Sequence, residues 1–314
     1  MPATNVRAFD PIKISFQPII SFSPVLIAQE EGYFEKYGLD AEFVPVGSAN
    51  EAVPLVMQGQ LDVVQIALNP GFFNAIAKGG TARVAMGLTR WSVNGCAAIA
   101  LASRRADTAR FQDPAQWKGA KLVTDPVGER GLPGLLLERI AGQYGAGPGD
   151  IMMVKLPLAN TAEALKNGAV DLVLISEPWL TRVISAADAE VLVTGKDILP
   201  EGQSSVVVFS ERLLQNRDLG MRVAQAYLEG LRQYQAGNTD RNVAIVAQYT
   251  QLEPELIKRV CWATLPADGS LNMDSIMEYQ AWAVKQGHLD QVVAPTDFWD
   301  GQLLQQAQSA RQEK

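Results

Sequence analysis

The sequence predicts an α/β protein of two lobes that share a ligand cleft. Three observations predict it. A unit of strand, turn and helix, set out by Ile12 to Gly38, recurs four times along the chain. Each recurrence starts its helix just beyond the carboxyl end of a strand, the edge at which an open, mostly parallel sheet binds ligands. Two apolar strands, near residues 96–102 and 204–209, bracket a second α/β series, so the chain crosses between lobes twice.

In the first unit Ile12-Lys13-Ile14-Ser15-Phe16 alternates as a half-buried strand does, and Ser23-Pro24 opens a helix that runs to Glu30. Ser23 is the expected N-cap and Pro24 the first helical residue. Gly32 stops the helix, and Gly38 suits a left-handed turn into the next strand. After the strand Ala41 to Pro45, Ser48-Ala49-Asn50-Glu51 has capping-box spacing. The strand Leu61 to Ile66 leads to Asn69-Pro70, again a cap and a first turn. Arg90 to Gly95 breaks the pattern before the apolar strand Cys96 to Ala102, and Arg104 to Lys118 is a polar connection.

The second series places strands at Lys121 to Thr124, Ile151 to Lys155, Leu172 to Ser176 and Ala189 to Thr194. Helices fall between them at Gly131 to Tyr144, Leu158 to Asn167 and Pro178 to Ala187. Right-handed crossovers would make these sheets parallel. Gly202-Gln203-Ser204-Ser205 precedes the strand Val206 to Phe209, and the remainder reads as helical. The expected division is a first lobe of residues 12–98 and 207–314 with a second lobe, 99–206, inserted into it.

Composition excludes several function classes. A net charge of -7 opposes nucleic acid or anionic membrane as the main partner, since both need a basic face. No apolar run approaches the roughly 20 residues of a membrane span. Met1 to Asp10 lacks the basic start and apolar middle of a leader, which fits a cytoplasmic protein or a secreted one deprived of its leader. With Cys96 in an apolar strand and Cys261 in a helical stretch, two buried free thiols are expected rather than a disulfide. His288 stands at a helix end, as surface histidines commonly do.

The run Pro24-Val25-Leu26-Ile27-Ala28-Gln29-Glu30-Glu31-Gly32-Tyr33-Phe34 resembles the opening of solute-binding proteins of ABC importers, and Tyr37 to Phe43 and Gln58 to Val63 extend the match. Trp117-Lys118-Gly119, Ala164 to Asp171 and Ser176-Glu177-Pro178-Trp179 resemble landmarks of their second lobe. The subgroup is the NMT1-like, or SsuA/THI5-like, one, which handles sulfonates, taurine, nitrate, thiamine-pyrimidine precursors and riboflavin. The resemblance implies a periplasmic-binding-protein type II fold that traps a small molecule by hinge closure. It further implies a monomer in the periplasm, with a permease and ATPase as partners and contact with the membrane only through the permease or a lost lipid anchor. No cofactor or metal is implied.

Candidate ligand contacts sit at the strand ends. Phe22 follows the first strand, with an equal reading as a staple of its own helix. Ser48 can offer a hydroxyl or serve as a cap alone. Asn69 and Phe72 stand where the family often has small residues that receive an anion, and one of Phe72 and Phe73 should be core. Trp91 and Asn94 lie in an irregular segment after a strand, a common setting for binding residues. Asp125, Glu129 and Arg130 replace the small hydroxyl-rich turn typical of the family; Glu129 and Arg130 form either a solvated pair or an anion site. Glu177 sits where a helix dipole favours an acid, and Trp179 can stack on a ring or close the lobe. Aromatic residues outnumber basic ones at these positions, so the expected ligand is a planar heterocycle such as riboflavin or a thiamine pyrimidine, its edge read by Asn69 and Glu177. An organosulfonate, taurine or nitrate is the alternative. A pyrimidine-synthesis enzyme of this fold would need a site histidine and a cysteine-rich motif, and this chain offers neither.

Overall fold

In a computed structural model the fold is described for residues 9–96, 98–124, 130–143, 145 and 147–312. The first part of the chain runs β1 (Asp10–Phe16), α1 (Ser23–Glu30), α2 (Tyr33–Lys36), β2 (Leu39–Pro45), α3 (Ala49–Met57), β3 (Val63–Ala67), α4 (Pro70–Ala77), β4 (Arg83–Gly87) and β5 (Arg90–Trp91). The middle part runs β6 (Ile99–Arg104), β7 (Lys121–Thr124), α5 (Leu132–Gln143), β8 (Met152–Val154), α6 (Thr161–Lys166), β9 (Leu172–Ser176), α7 (Trp179–Ala186), β10 (Ala189–Thr194) and α8 (Gly195–Ile198). The last part runs β11 (Gly202–Gln203), β12 (Ser205–Phe209), α9 (Glu211–Gln215), α10 (Arg217–Tyr234), α11 (Asp240–Thr250), α12 (Pro254–Arg259), α13 (Met273–Lys285), α14 (Pro295–Phe298) and α15 (Gly301–Gln312).

Two five-stranded sheets repeat one plan. Their orders are β2-β1-β3-β12-β4 and β8-β7-β9-β6-β10. In each, three parallel strands are followed by one antiparallel strand that arrives from the other lobe, β12 in the first sheet and β6 in the second. The sheets are therefore mixed, not wholly parallel as the alternating pattern suggests. An insertion must return the chain, and each returning strand enters its sheet reversed. A two-stranded ribbon of β5 and β11 ties the two crossings together, with Gly202 opposite Trp91.

Local departures have simple causes. Ser23 begins α1 but does not cap it; a 3₁₀ turn over Ile20–Phe22 precedes it, and the Ser23 hydroxyl donates back to the Ile20 carbonyl at 2.7 Å. The capping box expected at Ser48 does not form. The Glu51 carboxylate accepts from the Gly47 amide at 2.6 Å, and the Ser48 side chain makes no cap bond. Asn69 does cap α4, accepting from the Phe72 amide at 3.1 Å. The connection before β7 contains short 3₁₀ turns and buries Trp117, whose indole donates to the Phe111 carbonyl at 3.0 Å.

Helix α10 packs along α1. At Gly230 a Cβ would stand 2.1 Å from the Pro24 carbonyl oxygen, so only glycine permits this approach. The cysteines correct the expectation of free thiols: Cys96 and Cys261 are bonded, 165 residues apart in sequence with Cα atoms 5.7 Å apart. Cys96 lies before β6, not inside it, and Cys261 follows the end of α12. Both are thus in irregular segments, free to meet.

Candidate ligand-binding site

The carboxyl ends of the first-sheet strands and the start of the second lobe's α5 face one another across a cavity of about 770 Å³, its open mouth included. Helix starts define it. The turn before α1 contributes Gln17 and Ile19 to Phe22, the start of α3 contributes Ser48 and Ala49, and the start of α5 contributes Leu132 and Pro133. Strand ends supply Ile66, Ala67 and Ser176. The two crossings supply Thr89, Trp91, Ala98, Ile99, Ser204 and Ser205, and Ala263 closes the wall from the segment after α12. Among the described lining residues none carries a charge. The chemistry offered is an apolar body of isoleucine, phenylalanine and tryptophan, with hydroxyls and the positive dipole ends of three helix starts.

Of the residues singled out from sequence, Phe22, Ser48 and Trp91 line this cavity. Asn69 is buried as the cap of α4, its amide donating to the Ala67 carbonyl at 2.9 Å. Phe72 is buried in the apolar core, edge-on to Phe73 with centroids 5.3 Å apart, and Phe73 packs on Phe298 and Tyr279. Adjacent helix positions point about 100° apart, yet both rings find core because α4 has sheet on one side and α13 and α14 on the other. Asn94 is exposed in a turn, and Arg130 is exposed, its carbonyl accepting from the Tyr279 hydroxyl at 3.1 Å. Trp179 is buried in the second-lobe core with the Arg182 guanidinium 5.5 Å from its ring centre. Asp125 and Glu129 lie outside the described residues.

Glu177 occupies the junction of the lobes. It is buried, its carboxylate accepting from the Thr181 amide at 3.0 Å, the Thr181 hydroxyl at 2.8 Å and the Cys261 amide at 3.3 Å. Burial pushes the carboxyl up, and the three donors hold it partly back. Its own amide donates to the Ala98 carbonyl at 2.8 Å, and its carbonyl accepts from the Ile20 amide at 3.3 Å. The peptide to Pro178 is cis.

Sequence reasoning did not single out Gln17, Thr89, Ser176, Ser204, Ser205 or Ala263. Ser176 was within reach, since it ends a strand at the sheet edge where ligands bind. Ala263 carries no local signal; the disulfide and α12 bring it to the cavity.

The ligand-binding component of an ABC-type import system from Staphylococcus aureus, determined with zinc bound, superposes with a TM-score of 0.77 at 17% identity, covering 95% of this chain and 99% of that one. The alkanesulfonate-binding protein SsuA from Xanthomonas axonopodis pv. citri, bound to MOPS, gives 0.73 at 18%, covering 92% and 98%. The desulfurization enzyme DszB gives 0.65 at 14%, covering 96% and 99%. These likenesses establish the fold. In sequence, the nitrate import ATP-binding protein NrtC of Synechococcus elongatus is 25% identical over 228 residues, 69% of this chain. The chain spans about a third, 34%, of the length of that curated relative. The model of the NMT1-like family matches residues 9–249, more than half of the sequence, and the chain belongs to that family.

Proposed function

We propose that the protein is the extracytoplasmic solute-binding component of an ABC importer, capturing a small organic solute by lobe closure and presenting it to a permease and its ATPase. Family membership and the two-lobed cleft support the class. The disulfide supports an oxidising compartment outside the cytoplasm. Residues 12–98 with 207–314 and residues 99–206 are the two bodies that move. The lining offers hydroxyls without a titratable side chain among its described residues, which supports capture rather than catalysis, although one structural neighbour is an enzyme.

The observation that carries the choice of solute is the lining itself: apolar walls, hydroxyls and helix starts, with no cation among the described residues. A small inorganic anion would leave the apolar walls unused. An organosulfonate uses both halves, its head at the helix starts and its carbon chain along Ile20, Phe22, Ile66 and Leu132. A planar heterocycle is the second reading, favoured by Phe22 and Trp91 on the same cavity.

Calorimetric titration with sulfonates of increasing chain length, nitrate and riboflavin tests this. Each added methylene that is buried should tighten binding by about 0.8 kcal/mol, close to fourfold. Tighter binding of nitrate than of any alkanesulfonate would sink the reading, and tightest binding of riboflavin would establish the second.

A further inference from the structure

The walls of the cavity come from segments far apart in sequence, and three of them meet at one residue outside its lining. Glu177 bonds through its amide to Ala98, through its carbonyl to Ile20 and through its carboxylate to Cys261. Ala98 and Ile20 line the cavity, and Cys261 stands two residues before Ala263, which also lines it. The disulfide joins Cys261 to Cys96, two residues before Ala98. The contacts therefore close a ring: carboxylate to Cys261, disulfide to Cys96, chain to Ala98, and carbonyl back to the Glu177 amide.

We propose that Glu177 is a positioning residue whose carboxylate holds the first-lobe wall segment at Cys261 against the second lobe, beside the backbone bond from Ile20 to its carbonyl. The proposal rests on the cleft being the binding site and names a residue that shapes its wall. Glu177 belongs to the end of β9 in the second sheet, whereas Ile20, Val260 and Ala263 pack in the core of the first. Three bonds join it to first-lobe segments: its amide donates to the Ala98 carbonyl at 2.8 Å, and its carbonyl and carboxylate accept from the Ile20 and Cys261 amides, both at 3.3 Å. The carboxylate bond to Cys261 is the one of these that depends on the side chain, and it lies inside the ring that the disulfide closes. The competing role is local. Thr181 gives two bonds to the same carboxylate, so Glu177 also ties down the first turn of α7.

Amide hydrogen exchange on the protein without added solute separates the two roles. In Glu177→Ala the Cys261 amide should exchange about tenfold faster than in wild type, whereas the Ile20 amide, bonded to the Glu177 backbone carbonyl, should hold its rate. Glu177→Gln keeps an acceptor oxygen and should restore the Cys261 amide, whereas Thr181→Val should quicken only the first turn of α7. Glu177→Asp, one methylene short, gives the same test as Glu177→Ala in a milder form should the alanine variant fail to fold. Faster exchange confined to α7 in both Glu177→Ala and Glu177→Asp would overturn the proposal. Because no solute is added, a wrong solute assignment leaves the result intact. An alkanesulfonate titration of Glu177→Gln then reports on the cleft separately.

Discussion

The lobes meet along two seams of different chemistry. One runs through α5 and α13: Leu132, Leu135 and Leu136 share a single apolar cluster with Phe72, Phe73, Ile276 and Tyr279. Polar contacts only border it, from the Trp282 indole to Glu138 at 2.6 Å and between Arg139 and Glu278. The other seam, at Glu177, is made of hydrogen bonds with Ile20, Cys261 and Ala98, with Leu252 packed against both cores. Separating the first exposes apolar surface at about 25 cal/mol per Å², while separating the second exchanges protein partners for water at close to no cost. The difference teaches where motion is cheap. Opening the α5–α13 seam costs the more, and opening the Glu177 seam the less.

The largest effect that tests this contrast is expected at Tyr279, whose ring is fully buried between Phe73 and Trp282. Tyr279→Ala should cost about 4 kcal/mol, the usual loss for a truncated core aromatic. Urea unfolding followed by tryptophan fluorescence and by circular dichroism checks it. If the seam is a common core, both signals shift together; a transition that splits would show the lobes to be separate folding units. Tyr279→Phe removes only the bond to the Arg130 carbonyl and should cost about 1 kcal/mol.

Next comes the disulfide, which stands beside the weaker seam. The double variant Cys96→Ser and Cys261→Ser should lose about 3 kcal/mol in thermal unfolding, because the crosslink closes a long loop in the unfolded chain. Wild type unfolded in dithiothreitol should match it. A loss with no change in solute affinity would confine the crosslink to stability and detach it from closure. At the ribbon between the seams, a Cβ on Gly195 would meet Ile99 at 2.6 Å and Trp91 at 3.2 Å. Gly195→Ala should cost about 2 kcal/mol by overpacking and weaken solute binding through the displaced Trp91 ring.

The two seams were unequally legible in the sequence. The strands announced themselves by alternation and the helix starts by Asn-Pro and Ser-Pro pairs, because those signals are local and the fold obeys them. Phe22, Ser48 and Trp91 could be named because each stands at a strand end or in a break of pattern. Phe72 and Trp179 show the limit of that rule. A strand end fixes the segment that approaches a cleft but not the side of the helix that faces it, and both rings turn into core. Small wall residues such as Thr89, Ser204 and Ala263 have no pattern of their own. The Cys96 to Cys261 bond was hidden for a related reason: apolar neighbours suggested a buried thiol, and only the packed fold brings segments 165 residues apart together. The apolar seam left its mark as helical periodicity, whereas the Glu177 seam is built from backbone amides, which every sequence possesses.

The smallest expected effect concerns the charge of Glu177. Burial raises its folded-state pKa above the ordinary 4.5, so the folded chain keeps a proton that the unfolded chain has already released. Where the folded state binds more protons, stability falls as pH rises. The contribution is therefore fully present below 4.5 and is lost as pH climbs through the raised value. Glu177→Gln cannot titrate, and its amide oxygen still accepts from Cys261. Its stability relative to wild type should thus improve with rising pH through that window and then level off, as read by urea unfolding at steps from about pH 4 to about pH 8. A constant difference across that range would mean that the carboxyl is not raised and that Glu177 carries its charge at the junction without penalty. The outcome also bears on the seam. A carboxyl that favours its neutral form when buried is held at this junction, against its own desolvation, by the Cys261 amide and the two Thr181 donors.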